Sequence, residues 1–253
     1  MCCRIVGEVK NEDWNDEKMV AAGERKKIQT ARMWRYFLNA AADLIEEKGM
    51  NNIKIREIAD RAGYTSSTAY NYFRNLSHLK FFAAMRYTTT YFHDLPNYME
   101  KGNNTVDEWL YGWECFCRHS FQYPEVYSLL YIENLGVIPE EMNQLYYEVY
   151  ANELINLSDE VQSIITHHNI AQRSTLFIYK TIEEGFIKET DLDYIANLTM
   201  LIWTGMMTNL LNLRKNVTKE EAAKYTMYYI RRSIMDVVVP EKKNLITYEY
   251  GRG

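Results

Sequence analysis

Between Ile55 and Phe73 the sequence IREIADRAGYTSSTAYNYF sets two helical patterns back to back with a single glycine between them, and few folds accommodate that. Ile55, Ile58, Ala59 and Ala62 recur at helical spacing and are closed by Gly63, where a left-handed residue satisfies the last carbonyls. Thr65 or Ser66 then caps a second short helix, Ser66 to Phe73, whose inward residues are Ala69 and Phe73. Two short helices joined by a glycine-containing turn form a helix-turn-helix, and its second helix places its first residues against base edges in the major groove. The hydroxyls of Thr65, Ser66, Ser67 and Thr68 suit close approach to bases and phosphates. Tyr70, Asn71 and Tyr72 follow one turn on, where a phenol reaches phosphate and an amide can bond adenine.

The flanking sequence is helical as well. Met33, Phe37, Ala40, Ala41 and Leu44 form an amphipathic helix stopped at Gly49, and Asn75 or Ser77 caps another that runs toward Leu95, where Pro96 discourages continuation. Thr105-x-x-Glu108, Thr190-x-x-Asp193 and Thr218-x-x-Glu221 read as capping boxes opening three further helices. The runs from Glu141 to Asn156 and from Asp159 to Glu184 also read as helix, the second broken near His168-Asn169. With 11 Gly and 4 Pro in 253 residues, turns are too scarce for a sandwich, so the expected class is all-α: a three-helix helix-turn-helix domain followed by a larger helical domain.

Charge divides the chain in the same place. Residues 24–86 hold 12 Lys/Arg against 6 Asp/Glu, a net of +6, while residues 1–23 carry −2 and residues 87–253 carry −9, which sum to the overall −5. A basic segment on an acidic body is the distribution expected when one part meets a polyanion and the rest does not. The expected organisation is a disordered extension over 1–23, a DNA reader over 24–86, a larger domain over 87–240, and a tail over 241–253. No glycine or serine linker separates reader from body, so a continuous helix is expected to join them.

Other functional classes find less support. The N-terminus lacks a secretory apolar core, and Cys2, Cys3, Cys115 and Cys117 have neither zinc-knuckle nor redox spacing, so a cytosolic protein with reduced thiols is expected. Ile195 to Leu213 carries no charge, but Asn197, Asn209 and Asn212 interrupt it, so a buried interface helix is expected rather than a membrane span. The adjacent pairs His167-His168 and Glu183-Glu184 diverge on a helix, and Cys115 with His119 lacks further ligands. No catalytic residues, metal or cofactor are assigned.

From Phe37 the chain reads FLNAAADLIEEKGMNNIKIREIADRAGYTSSTAYNYFRNLSHL and resembles the N-terminal domain of the TetR (tetracycline repressor) family of transcriptional regulators. The family's helix-one pattern is matched by Phe37, Leu38, Asn39, Ala40, Ala41 and Lys48-Gly49, its "IA…AG" core by Ile58, Ala59, Ala62 and Gly63, and its "TxYxxF" recognition helix by Thr68, Tyr70 and Phe73. Ile53 and Lys54 replace the usual Thr pair, and Tyr64 and Ser67 replace the usual Val and Gly. Leu76 stands where the family has a phosphate-binding Lys, and Lys80 or Lys54 is expected to compensate. Arg56 joins the expected DNA contacts, and Glu24, Arg25, Lys26 and Lys27 are read as a basic arm that adds a phosphate contact.

The resemblance implies a homodimer through the last two long helices, bound to a palindromic operator and released by a small-molecule effector. Leu198, Leu201, Ile202, Gly205 and Asn209, with Ile230 and Ile234, are the expected interface residues. Trp109, Trp113, Phe116, Tyr127, Tyr131, Tyr147 and Phe177 are the expected pocket, since a phenol offers an apolar body with one polar tip. The alternative is a dimeric sensor or scaffold that has lost operator binding, motivated by Leu76 and Tyr64.

Overall fold

In the computed structural model the described residues are 12–135, 139–150, 162, 170–214 and 216–251, with side chains described from residue 25 onward. Every regular element among them is helical. Helix α1, Glu12–Lys48, runs for 37 residues, about 55 Å at helical rise. It ends where the sequence places the stop, at Gly49 with φ 80. Residues 12–23, part of the extension expected as disordered, form its first turns, the helix running through Gly23. Trp34 is the first buried side chain described on it.

Helices α2, Ile55–Ala62, and α3, Ser66–Tyr70, follow, and α4, Leu76–Met99, carries the chain out of the reader without a joint. Asn75 caps α4 by accepting the His78 N–H at 2.8 Å. The expected stop before Pro96 does not occur. Phe92 and Leu95 are buried, and holding them in place offsets the one donor that proline removes.

The larger domain contains α5, Thr105–Gln122; α6, Pro124–Tyr131; α7, Pro139–Val149; α8, Ile170–Glu183; α9, Leu192–Leu211; and α10, Lys219–Val237. Helix α5 lies at the centre, packed on α4 and α10, while α9 packs on α8 and α10. Of the expected capping boxes, only Thr218 with Glu221 forms: Thr218 N–H donates to the carboxylate at 2.8 Å and Glu221 N–H to the hydroxyl at 3.2 Å. Asn104, not Thr105, caps α5, accepting from Val106 and Asp107 N–H at 3.1 and 3.0 Å. The Thr105 hydroxyl donates instead to Glu184 at 2.9 Å. Thr190 lies inside a 3-10 turn, and α9 opens at Asp191 without a side-chain cap. The expected run from Glu141 is helical through Val149, while its end over 151–156, the break near His168-Asn169 and the His167-His168 pair lie outside the described residues.

The tail is part of this domain's core. A 3-10 turn, Pro240–Leu245, leads into a segment lying along α5, where two buried carboxylates receive it. Asp107, 0 % exposed, accepts from Thr247 N–H at 3.0 Å, the Thr247 hydroxyl at 2.8 Å and Tyr248 N–H at 3.0 Å. Glu114 accepts from the Tyr248 hydroxyl at 2.9 Å, Gly251 N–H at 3.2 Å and Arg118 Nε at 3.0 Å. Arg118 also reaches Glu220 of α10 at 3.0 Å and lies over the Tyr250 ring. Buried charge here is acceptable because each carboxylate has several donors.

Candidate nucleic-acid interface and the aromatic cluster behind it

Helix α2 closes at Gly63 in the left-handed region, φ 80 and ψ 24, with Tyr64 N–H returning to Ala59 O at 2.9 Å. Two ion pairs hold it to α1: Lys48 to Glu57 at 3.0 Å, and Arg61 to Glu47 through two bonds of 2.8 Å each. The Arg61 bond and charge pull the Glu47 carboxyl below its usual pKa, and Lys48 does the same to Glu57. Beneath them Trp34, Phe37, Phe73 and Phe82 form the aromatic core, with ring centroids 4.2–5.7 Å apart for Trp34–Phe82, Trp34–Phe73 and Phe37–Phe73.

On this base α3 presents its side chains. Thr65 is the cap, accepting the Thr68 N–H at 3.2 Å, and its hydroxyl also meets the Thr68 hydroxyl at 3.0 Å. Those two hydroxyls are therefore committed largely to forming the helix end. Ser67, Tyr70 and Asn71 are exposed, Tyr70 by 53 %, and Ser66 is half-buried beside them. Tyr72 is half-buried, its ring 6.4 Å from Phe37, so its body belongs to the reader's packing. Helix α3 ends at Tyr70, earlier than expected, and the chain turns through Asn71 and Tyr72 so that Phe73 reaches the core.

The expected cations separate. Lys54 is exposed at the start of α2, its N–H bonded to Glu57 at 3.2 Å, and Arg56 is exposed with Asp60 at 3.9 Å. Lys80 does not extend this face. It is half-buried, burial lowers its ammonium pKa, and the acids acting on it are Glu133 and Glu125 of the larger domain. Tyr64 leans back on α1, 5.6 Å from Phe37 and 6.0 Å from Tyr36.

Behind the reader, Phe116 is the hub of an aromatic cluster, with Trp113 at 5.7 Å, Tyr127 at 5.8 Å, Tyr131 at 6.1 Å and Trp203 at 5.2 Å. Trp109 extends it, 6.3 Å from Trp113. Trp203, which donates to the Ser120 hydroxyl at 2.9 Å, went unassigned in the sequence because its helix reads as interface. Its spacing with Thr199 and Met206, both buried, is the signal that puts it on the inner face. Tyr147 belongs elsewhere. It meets Tyr146 at 5.3 Å, which stacks on Phe82 of the reader at 6.3 Å. Phe177 is half-buried against the core.

Helix α6 bears Tyr127 and Tyr131 on this cluster, and its other end touches the reader: Met50 N–H donates to the Glu125 carboxylate at 3.2 Å, and Tyr87 packs on Tyr123 at 5.1 Å. Cys115 and His119 do not join. Burial pushes the Cys115 thiol well up as it points to the Tyr91 carbonyl, and His119 pairs with Asp94 at 2.9 Å.

On the outer surface Leu201 is 70 % exposed, Leu198, Ile202 and Asn209 are half-buried, and a side chain at Gly205 would meet open space. Ile230 and Ile234 correct the expectation. Both are fully buried within the protomer, and α10 turns Tyr225, Tyr228 and Tyr229 outward instead. No helix among the described residues is long and apolar enough to cross a membrane.

Residues 37–79 match the family model for bacterial regulatory proteins, tetR family. Among solved structures, a TetR-family transcriptional regulator from Mesorhizobium loti is similar with TM-score 0.52 at 16% identity over 83% of this chain and 98% of that one. RolR in complex with resorcinol is similar with TM-score 0.51 at 19% identity over 81% and 89%. FadR of Thermus thermophilus, a TetR-family repressor in complex with lauroyl-CoA, gives 0.50 at 11% identity over 87% and 99%. At these identities the likeness is one of fold. No curated protein matches the chain.

Proposed function

We propose that this chain, whose residues 37–79 match the family model for bacterial regulatory proteins, tetR family, is a cytoplasmic homodimeric repressor of that family that binds a palindromic operator and is released by a small-molecule effector. The observation that carries this reading is the pairing of α2 and α3: a rigid two-helix unit, ion-paired to α1, that turns Ser67, Tyr70 and Asn71 outward from one corner. Those side chains reach base edges, while Lys54 and Arg56 lie toward the phosphates. A two-fold partner across α9 and α10 sets two such corners on half-sites one turn, about 34–36 Å, apart. Leu201 and Gly205 supply the apolar, open surface that such a partner covers.

The effector site is assigned to the rings around Phe116, whose lining suits an apolar body with few polar groups. Release follows if the effector binds the released arrangement better, by about 10⁴-fold for a shift from 1:99 to 99:1. Helix α6, which touches both the cluster and Met50, is the element through which the two states communicate. A second reading is a sensor of the same fold that no longer reads DNA. Leu76 and the inward-facing Lys80 favour it. Selection of bound duplexes from a random pool at physiological salt separates the two: an enriched palindrome supports the repressor, and a folded dimer that enriches nothing supports the sensor.

A further inference from the structure

The corner where α3 hands over to α4 lacks charge at the position that opens the helix. Leu76 is half-buried against the reader core, and Lys80, one turn on, is half-buried, with burial lowering its ammonium pKa and the charges of Glu133 and Glu125 acting on it. Leu76 has no charge to offer a phosphate beside α3, and the Lys80 ammonium is partly withdrawn from solvent. Arg74, two residues before Leu76, has the opposite placement. Its side chain is exposed on the link itself, and no acidic side chain among the described residues forms an ion pair with it. Every other cation in the α2–α4 corner either has an acid nearby or lies at the far end of α2: Arg56 has Asp60, Arg61 has Glu47, and Lys54 precedes α2.

The backbone at Arg74 is fixed although its side chain is not. Its N–H donates to Nδ1 of His78 at 3.0 Å, and the His78 N–H donates to Asn75 at 2.8 Å, closing the link into the first turn of α4. The His78 ring is wedged against Phe82 at 4.6 Å and Phe73 at 6.3 Å. A ring that accepts at Nδ1 is neutral, and burial together with the Arg74 charge holds its pKa down. The exposed Arg74 side chain therefore leaves a corner whose backbone is held by hydrogen bonds, and a guanidinium recognises phosphate through paired donors.

Resting on the DNA-binding reading above, we propose that Arg74, exposed on the link, supplies the backbone-phosphate contact at the α3–α4 corner, the contact that Leu76 cannot make and the half-buried Lys80 leaves open. It adds affinity without sequence preference, and base reading stays with Ser67, Tyr70 and Asn71.

The test is the salt dependence of binding by the full chain to mixed-sequence duplex DNA, which needs no knowledge of the operator. Each phosphate contact contributes about −0.9 to the log–log slope, so Arg74→Ala makes the slope shallower by roughly 1.8 for a dimer with two reading heads. Arg74→Lys keeps most of the slope, and Lys80→Ala leaves it unchanged. A wild-type slope in Arg74→Ala overturns the assignment, as does a loss in Lys80→Ala of the size expected for Arg74. Equal loss in the Lys and Ala variants would mean that shape rather than charge matters at position 74, and overturns it too. If the wild-type chain fails to bind duplex even at low salt, the DNA-binding reading falls first, and that result is distinct from a wild type that binds with an indifferent Arg74.

Discussion

Replacing Asp107 with alanine tests whether the tail is held by the two buried carboxylates of α5. Asp107 is fully buried and accepts two backbone N–H groups and one hydroxyl from Thr247 and Tyr248, besides a bond from Asn104 Nδ2 at 3.0 Å. Alanine leaves those two N–H groups without an acceptor, and an orphaned buried donor costs about 1–3 kcal/mol, so the tail loses roughly 2–6 kcal/mol of docking if it stays in place. Peeling away to rehydrate limits the loss, so an observed cost of about 3 kcal/mol is expected, a fall in Tm of roughly 6–12 °C for a chain of this size. Asn at 107 keeps one accepting oxygen and should cost about half as much. The assay is thermal unfolding, run also on a chain ending at Leu245. There Thr247 and Tyr248 are gone, and Asp107→Ala should cost only the helix-terminus term, about 0.3–1 kcal/mol, and the Asn104 bond, about 1 kcal/mol. Equal losses in the full and shortened chains, or none in the full chain, would refute the argument.

Three further outcomes follow from the same geometry. Leu201→Glu puts a charge on the most exposed large side chain of α9 and should convert the proposed dimer to folded monomers in sedimentation; a dimer that survives it removes α9 from the proposed interface. Gly63→Ala meets no neighbour within 4 Å but must hold φ 80, so it should cost about 1–2 kcal/mol in unfolding experiments; a neutral change would mean the turn relaxes. Burial, chiefly, holds the pKa of His78 and of His119 below 6.5 in the folded chain, with Asp94 opposing at His119. The unfolded chain then binds more protons, so stability should fall as pH drops through 6.5 toward the folded values, and a Tm flat across that window would contradict the placement of both rings.

What was legible beforehand were the features decided within a few residues. Gly63, Thr65, Asn75 and the Thr218 box act through local backbone groups, and each lies in the structure where its chemistry placed it. Thr105 and Thr190 show the limit: both have cap chemistry, but Asn104 takes the cap of α5 by satisfying two N–H groups while Thr105 finds Glu184, and Thr190 lies inside a 3-10 turn ahead of a helix that opens without a side-chain cap. A sequence pattern gives each claimant equal standing, and only the path of the chain decides between them.

Periodicity determined that the chain is helical, that a reader precedes a larger body, and which aromatics and aliphatics turn inward on each helix. It could not say what an apolar face turns toward. Ile230 and Ile234 lie inward within their own protomer while Leu201 remains exposed, though all three are apolar and helical. Trp203 joins Phe116 from a helix far along the chain, and Tyr147 joins the reader instead of the cluster. Lys80 comes under the charge of Glu133 from the larger domain, and Asp107 binds Thr247, more than a hundred residues away. Those pairings are fixed by how the helices cross and by which buried charge must find a donor. They are properties of the folded chain, because burial creates the need for a partner and only packing brings that partner near.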